Sequence, residues 1–206
     1  VDHGWVIPHF EKMLYDQGLL LRVYAETWRR TGSSDEDLLW PIRETAEYLR
    51  REMTDAEGGY YASQDADSEG EEGKFYVWTI TEIEKILGKE DAELYAKVFN
   101  FEPDGNFLEE AAHRKTGSNI PHLRKGLSSV AVDEGKDLPS LRTKLEGIRK
   151  KLFEVREKRI HPQKDDKILT DWNGLMISAF AQGGRMLGEK EYLDAATEAA
   201  DYCLTT

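Results

Sequence analysis

The sequence predicts a mainly α-helical fold with short β pieces set into it, and three observations carry that reading. Apolar residues recur at spacings of three, four and seven over long stretches, which is one buried face of a helix. One helix–turn–helix unit occurs twice. Gly18 and Gly174, and Gly32 and Gly188, both stand 156 positions apart, Tyr24 falls on Phe180 in that frame, and Ala46-Glu47-Tyr48-Leu49 matches Ala200-Asp201-Tyr202-Cys203 at an offset of 154. Between helix-patterned flanks, Gly58 to Trp78 reads instead as two β-like pieces joined by an acidic loop. A helix–turn–helix unit cannot bury its apolar face alone, so the repeat predicts stacked neighbours.

The first helix is expected over about Phe10 to Arg30, with Leu14, Leu21, Tyr24 and Trp28 on one face and Gly32 as its stop. Ser33, Ser34 and Asp35 are candidate N-caps for a second helix, about Asp37 to Met53, burying Leu38, Ile42, Ala46, Leu49 and Met53. The short turn makes the pair antiparallel. Thr81 with Glu84 reads as a capping box for a helix to about Leu87, and Asp91 to Phe99 as another helix. From Glu102 to Gly135 the helical pattern breaks down. Gly105-Asn106-Phe107 reads as a turn into a short strand, and Pro121 biases Ile120 towards extended backbone. So long an irregular stretch predicts loops that cover a site. A helix over about Pro139 to Arg159 follows, striped by Leu141, Leu145, Ile148, Leu152 and Val155. A polar turn, Gln163 to Lys167, leads to the second helical pair, Trp172 to Leu187 and Glu191 to Leu204.

A net charge of −12 argues against binding a nucleic-acid backbone as the main task. The apolar runs, such as Gly18 to Leu21 and Gly174 to Ile177, are far too short for a bilayer span. Val1-Asp2-His3 lacks the charged and apolar regions of a signal peptide, and the single cysteine, Cys203, fits a reducing compartment, so a cytoplasmic protein is expected. The absence of an initiator Met and the unpunctuated end at Leu204-Thr205-Thr206 suggest a segment of a longer protein.

Four clusters could carry chemistry. The first is Trp5, Pro8, His9, Phe10, Glu11, Lys12, Tyr15, Asp16 and Gln17, in which His9, Asp16 and Gln17 are polar groups at the mouth of an otherwise apolar helix, where hydroxyl-bearing or anionic ligands are favoured; the bland alternative is capping and core satisfaction. The second is the acidic stretch from Tyr60 through Gln64, Asp65 and Asp67 to Trp78. Carboxylates accept hydrogen bonds from hydroxyls, and aromatic faces stack on sugar rings, so this stretch suits a polyhydroxy ligand. Its bland counterpart is a solvated acidic hairpin. The third is Asn106, Asn119 and His122. The fourth is Arg156, Arg159, Asp165, Asp166, Lys167, Asp171, Trp172 and Asn173, in which Asp171 doubles as a plain N-cap. Asp65, Asp67, Glu69 and Gly70 open with EF-hand spacing, but Tyr76 stands where the bidentate Glu belongs, and the five histidines show no zinc spacing. No phosphate loop or dinucleotide fingerprint is present, so no metal or other cofactor is expected.

These blocks carry a resemblance. Trp5 with Pro8-His9-Phe10-Glu11-Lys12-Met13-Leu14-Tyr15-Asp16-Gln17 is similar to the signature of the YyaL-type, spermatogenesis-associated thioredoxin-like proteins. Gln64-Asp65-Ala66-Asp67-Ser68 with Glu72-Gly73-Lys74-Phe75-Tyr76-Val77-Trp78 resembles a second family block. Asn106-Phe107 with Asn119-Ile120-Pro121-His122 resembles a third, and Arg156, Arg159 and Pro162 with Asp165 to Met176 a fourth. The resemblance implies one incomplete α/α toroid domain over residues 1–206, similar to six-hairpin glycosidases and N-acylglucosamine 2-epimerases, from a protein that also carries a thioredoxin-like domain and further hairpins. The Leu108 to Ser118 spacer departs from the family pattern in its Arg114-Lys115. A sugar-active toroid would draw a carboxyl pair from Asp67 or Asp65 with Asp171 or Asp166, or an epimerase base from His9 or His122. Trp5, Asp16, Gln17, Tyr60, Gln64, Asp65, Trp78, Asn119, Asp166, Trp172 and Asn173 would hold the ligand. The alternative is a non-catalytic scaffold for the thioredoxin-like domain, in which the carboxylates are paired to Arg156, Arg159 and Lys167.

Overall fold

The computed structural model describes residues 3, 4, 6–33, 35–109 and 114–205, and Trp5 and the N-cap candidate Ser34 lie outside them. The described residues form eight α-helices and seven two-residue strands, and the chain divides into two compact units.

One unit comprises Glu11–Asp65 and Gln163–Thr206 and holds both copies of the repeat. Helix α1 spans Leu14–Arg30 and α2 Glu36–Tyr48, prolonged by a π-helical turn, Leu49–Met53. Helices α7, Thr170–Leu187, and α8, Lys190–Thr205, form the second hairpin. Their apolar faces meet in one core around Leu14, Leu21, Ile42, Met53, Met176 and Phe180. Helix α1 packs chiefly on α7, with α2 against α1 and α8 against α7. The ion pairs Arg43–Glu189 at 3.4 Å and Arg50–Glu191 at 2.6 Å tie α2 to the second hairpin.

Helix α1 begins at Leu14, later than its periodicity suggests, because Lys12–Met13 is strand β1. It pairs antiparallel with β2, Ser63–Gln64, which pairs in turn with β7, Lys164–Asp165. Of the candidate caps, Asp35 serves α2, accepting from the Asp37 amide at 3.0 Å, and Leu39 takes the core position expected for Leu38.

The other unit comprises Val1–Phe10 and Ala66–Pro162. Helices α3, Ile80–Leu87, and α4, Lys89–Val98, pack with α5, Leu127–Asp133, and α6, Leu138–Arg156, around Trp78, Ile83, Tyr95, Leu141, Ile148 and Leu152. The capping box lies two residues before its expected place: Thr79 and Glu82 exchange bonds, with the Thr79 amide donating to Glu82 Oε2 at 2.7 Å. Helix α5 was hidden in the irregular stretch, since seven residues are too few for a legible periodicity. The expected short strand is β5, Leu108–Glu109, paired with β6, Arg114–Lys115. The run Phe75 to Trp78 is a turn, not a strand; only Trp78 forms a bridge, to Asn119.

Candidate functional site

The acidic stretch folds as a hairpin. Strand β3, Asp67–Ser68, pairs with β4, Glu71–Glu72, and the two-residue loop Glu69-Gly70 has φ of +56° and +77°, the conformation tight hairpins require. The register sets Asp67 directly across from Glu72, a like-charge pair that opposes pairing. Lys74 relieves part of this crowding: its ammonium contacts Glu71 at 2.9 Å and Glu69 at 3.5 Å, and the Glu71 hydrogen bond raises its pKa.

The segment after the hairpin is pinned from the end of α6. Arg159 Nη1 donates to the carbonyls of Phe75 and Val77 at 2.9 and 2.8 Å, its guanidinium lies 3.9 Å from the Trp78 ring centroid, and Nη2 reaches Glu82 at 3.5 Å. Arg156 lies over Phe75, Tyr76 and Phe153 at 5.3 to 5.7 Å. At Gly73, φ is +74° and a Cβ would stand 2.6 Å from the Phe10 ring, so the residue must be glycine for conformation and for space.

Beside the hairpin lies a cavity of about 960 Å³. Asp67, Glu69, Glu71, Glu72 and Glu82 supply carboxylates, Lys74, Lys158 and Arg159 cations, and Phe75 and Phe107 apolar walls. Trp78 lines it too, but at 4 % exposure and under Arg159 its ring offers no open face, and Phe75 is 3 % exposed. The aromatic run thus turns into the core, because each ring buries large apolar area there. The carboxylate part of the expectation is present at the cavity; the stacking part is not.

The third cluster forms a knot of side-chain amides. Asn119 is fully buried; its Oδ1 accepts from the Glu102 and Asn106 amides, and its Nδ2 donates to the Glu102 and Gly117 carbonyls. Asn106 pairs in the same two-handed way with the backbone of Ile120, at 2.7 and 3.0 Å. Every polar atom of Asn119 therefore has a backbone partner, and its role here is to close the 102–119 loop. His122 Nδ1 lies 3.1 Å from the Ile120 carbonyl and 3.5 Å from Asn106 Nδ2. Nε2 is sealed from solvent and has no hydrogen-bond partner among the described residues.

In the repeat unit, Asn173 is fully buried and pairs with the Tyr60 backbone, accepting from its amide at 2.8 Å and donating to its carbonyl at 2.9 Å. Tyr60 is itself core, stacked on Phe180, with its hydroxyl pKa pushed up to about 12 by burial. Gln64 is buried and accepts from the Tyr48 hydroxyl at 3.0 Å. Trp172 meets Tyr15 edge-on at 4.8 Å. Asp16 and Gln17 are half-buried in the first turn of α1, while Asp65, Asp166 and Asp171 are exposed. Asp171 is not the N-cap: that place belongs to Leu169, and Asp171 sits inside the first turn.

His9, Asp67, Trp78, Asn119 and His122 thus belong to one unit, and Asp16, Gln17, Tyr60, Gln64, Asp65, Asp166, Asp171, Trp172 and Asn173 to the other. Glu82 and Lys158 line the cavity without having been expected there, since the only signal was a place near other charges. Among the described residues no group of three His, Cys, Asp or Glu is placed to hold a metal, and no helix is long and apolar enough to cross a membrane.

No family model matches the chain. Among curated proteins, spermatogenesis-associated protein 20 of Homo sapiens is 33 % identical over 218 residues, covering 98 % of this chain and 28 % of the relative. Its Mus musculus counterpart is also 33 % identical, with 27 % of the relative covered. Over 98 % of its length the chain is homologous to a segment of spermatogenesis-associated protein 20. An uncharacterised Caenorhabditis elegans protein is 30 % identical over 217 residues, with 98 % of this chain and 30 % of the relative covered. The chain spans under a third of the length of these relatives.

Proposed function

We propose that this segment binds a polyhydroxy ligand of the carbohydrate class, and that its two helical hairpins are part of an α/α toroid in the longer protein. The observation that carries the binding reading is the cavity of about 960 Å³ beside the acidic hairpin, which is lined by five carboxylates and three cations. Its size is in the range of small-molecule sites, and carboxylates with interspersed cations match the donors and acceptors of a ring of hydroxyls. The test is a titration against a panel of neutral, acidic and phosphorylated sugars. Saturable binding that Asp67→Asn and Glu72→Gln each weaken at least tenfold supports the reading. Failure of every sugar to bind, or binding indifferent to both substitutions, refutes it. Turnover of a bound sugar, lost in Asp67→Asn, would extend it to catalysis.

The scaffold reading has its own support. Asp165 is held by Lys167 at 2.9 Å, and that hydrogen bond keeps its carboxyl below the usual range. Arg159 is engaged with backbone carbonyls and Glu82. Under this reading a thioredoxin-like domain, not a sugar, is what binds, and the sugar titration is flat.

A further inference from the structure

The charges around the hairpin cavity do not cancel, and the way they pair bears on which sugars suit it. Every residue that lines the cavity belongs to the unit formed by Val1–Phe10 and Ala66–Pro162. Two of its three cations are already engaged. The Lys74 ammonium sits between Glu71 at 2.9 Å and Glu69 at 3.5 Å. Arg159 is held by the Phe75 and Val77 carbonyls, the Trp78 ring and Glu82. Glu82 also accepts from the Thr79 amide and hydroxyl. The carboxylate of Glu72 has no hydrogen-bond or ion-pair partner among the described residues, and the strand register sets it directly opposite Asp67. Lys158, the third cation, is exposed and forms no ion pair among the described residues. The wall of the cavity is therefore anionic where the hairpin rung Asp67–Glu72 meets it.

We propose that the ligand of this cavity is a protonated amino sugar, with its ammonium seated at the Asp67–Glu72 rung. This rests on the carbohydrate reading above and narrows it to one class of sugar. The same hairpin already shows what it does with an ammonium: Lys74 spans Glu69 and Glu71 in the way the ligand spans Asp67 and Glu72. An ammonium has three donors and no acceptor, so it can serve two carboxylates at once. It also removes the like-charge repulsion that opposes pairing at this rung. The sugar hydroxyls donate to the neighbouring carboxylate oxygens, and Lys158 donates to hydroxyl oxygens of the ligand. A neutral sugar leaves the rung uncompensated. A uronic acid or a sugar phosphate brings a further negative charge to it, and like charges set against each other suppress binding.

Calorimetric titration with glucosamine, glucose, N-acetylglucosamine and glucuronate tests this. Acylation removes the charge of the amine and keeps the ring, so N-acetylglucosamine isolates the ammonium. Glucosamine is expected to bind about tenfold or more tightly than glucose or N-acetylglucosamine, the factor by which a charge-assisted hydrogen bond exceeds a neutral one, with glucuronate the weakest. In Glu72→Gln and in Asp67→Asn that preference for glucosamine over glucose should shrink towards none. Both changes relieve a like-charge pair, so the hairpin keeps its stability, and unchanged helical circular dichroism and melting separate lost binding from lost fold. Glucose or glucuronate binding as tightly as glucosamine would overturn the amino-sugar assignment and leave the carbohydrate reading standing. A preference that survives both substitutions would do the same. Cyclohexylamine binding as tightly as glucosamine, or no sugar binding at all, would overturn both.

Discussion

Replacing Asn173 with alanine removes the side chain that, among the described residues, pairs with the Tyr60 backbone. The amide closes three bonds: Tyr60 N–H to Oδ1 at 2.8 Å, Nδ2 to the Tyr60 carbonyl at 2.9 Å, and Nδ2 to the Leu169 carbonyl at 3.0 Å. Leu169 keeps a partner in the Asn173 backbone amide, so its carbonyl is not orphaned. The Tyr60 N–H and C=O lose the partner described, at a fully buried site. Each such group costs about 1–3 kcal/mol, so the expected loss is about 2–6 kcal/mol. Asn173→Asp keeps the acceptor but loses the donor and buries a carboxylate, so it should be at least as damaging. Asp171→Asn, two positions away and exposed, should change stability by under about 0.5 kcal/mol. Urea unfolding followed by helical dichroism and by tryptophan emission, with Trp172 beside Asn173, measures the differences. An Asn173→Ala variant within about 1 kcal/mol of wild type would refute the argument. It would return Asn173 to the ligand-binding role its sequence context suggested.

Gly73→Ala should destabilise by about 2 kcal/mol or more, since it combines a left-handed backbone with a clash on Phe10; a melting curve indistinguishable from wild type would contradict the geometry. Arg159→Lys keeps the charge but cannot span two carbonyls, so the loop after the hairpin should exchange its amide hydrogens faster and stability should fall by about 1–3 kcal/mol; unchanged exchange at residues 75–78 would count against the pin. Asp137 caps α6, and its hydrogen bond from the Ser140 amide lowers its pKa below the ordinary 3.8. That stabilisation is complete above pH 3.8 and fades as the pH falls through the lowered folded-state value. Asp137→Asn should therefore flatten that part of the acid-side loss, and an acid unfolding profile identical to wild type would show the cap contributes nothing.

Much of the helical layout was legible because periodicity and punctuation agree locally. Leu14, Leu21 and Ala25 line one face of α1, and Gly32 and Gly188 end α1 and α7 with positive φ. The duplication was legible too, as two glycines and their neighbours repeat in register. Other features depend on partners far away in the chain. Strand β1 takes its first residues from the expected helix because Ser63–Gln64 supplies a ladder, and no local signal at Lys12 announces that. The cap at Thr79 displaces the one expected at Thr81 because residue 78 is bridged to Asn119.

The same division holds for the site. Sequence alone determined which residue types cluster: an acidic hairpin, aromatic neighbours, and asparagines beside prolines and tryptophans. Whether an asparagine faces a ligand or a peptide group is not local information. The tertiary structure gave Asn119 and Asn173 to buried backbone, because a buried amide or carbonyl without a partner costs more than a solvated side chain gains. It likewise turned Phe75 and Trp78 inward, where apolar area is removed from water, and left the carboxylates of the hairpin to line the cavity.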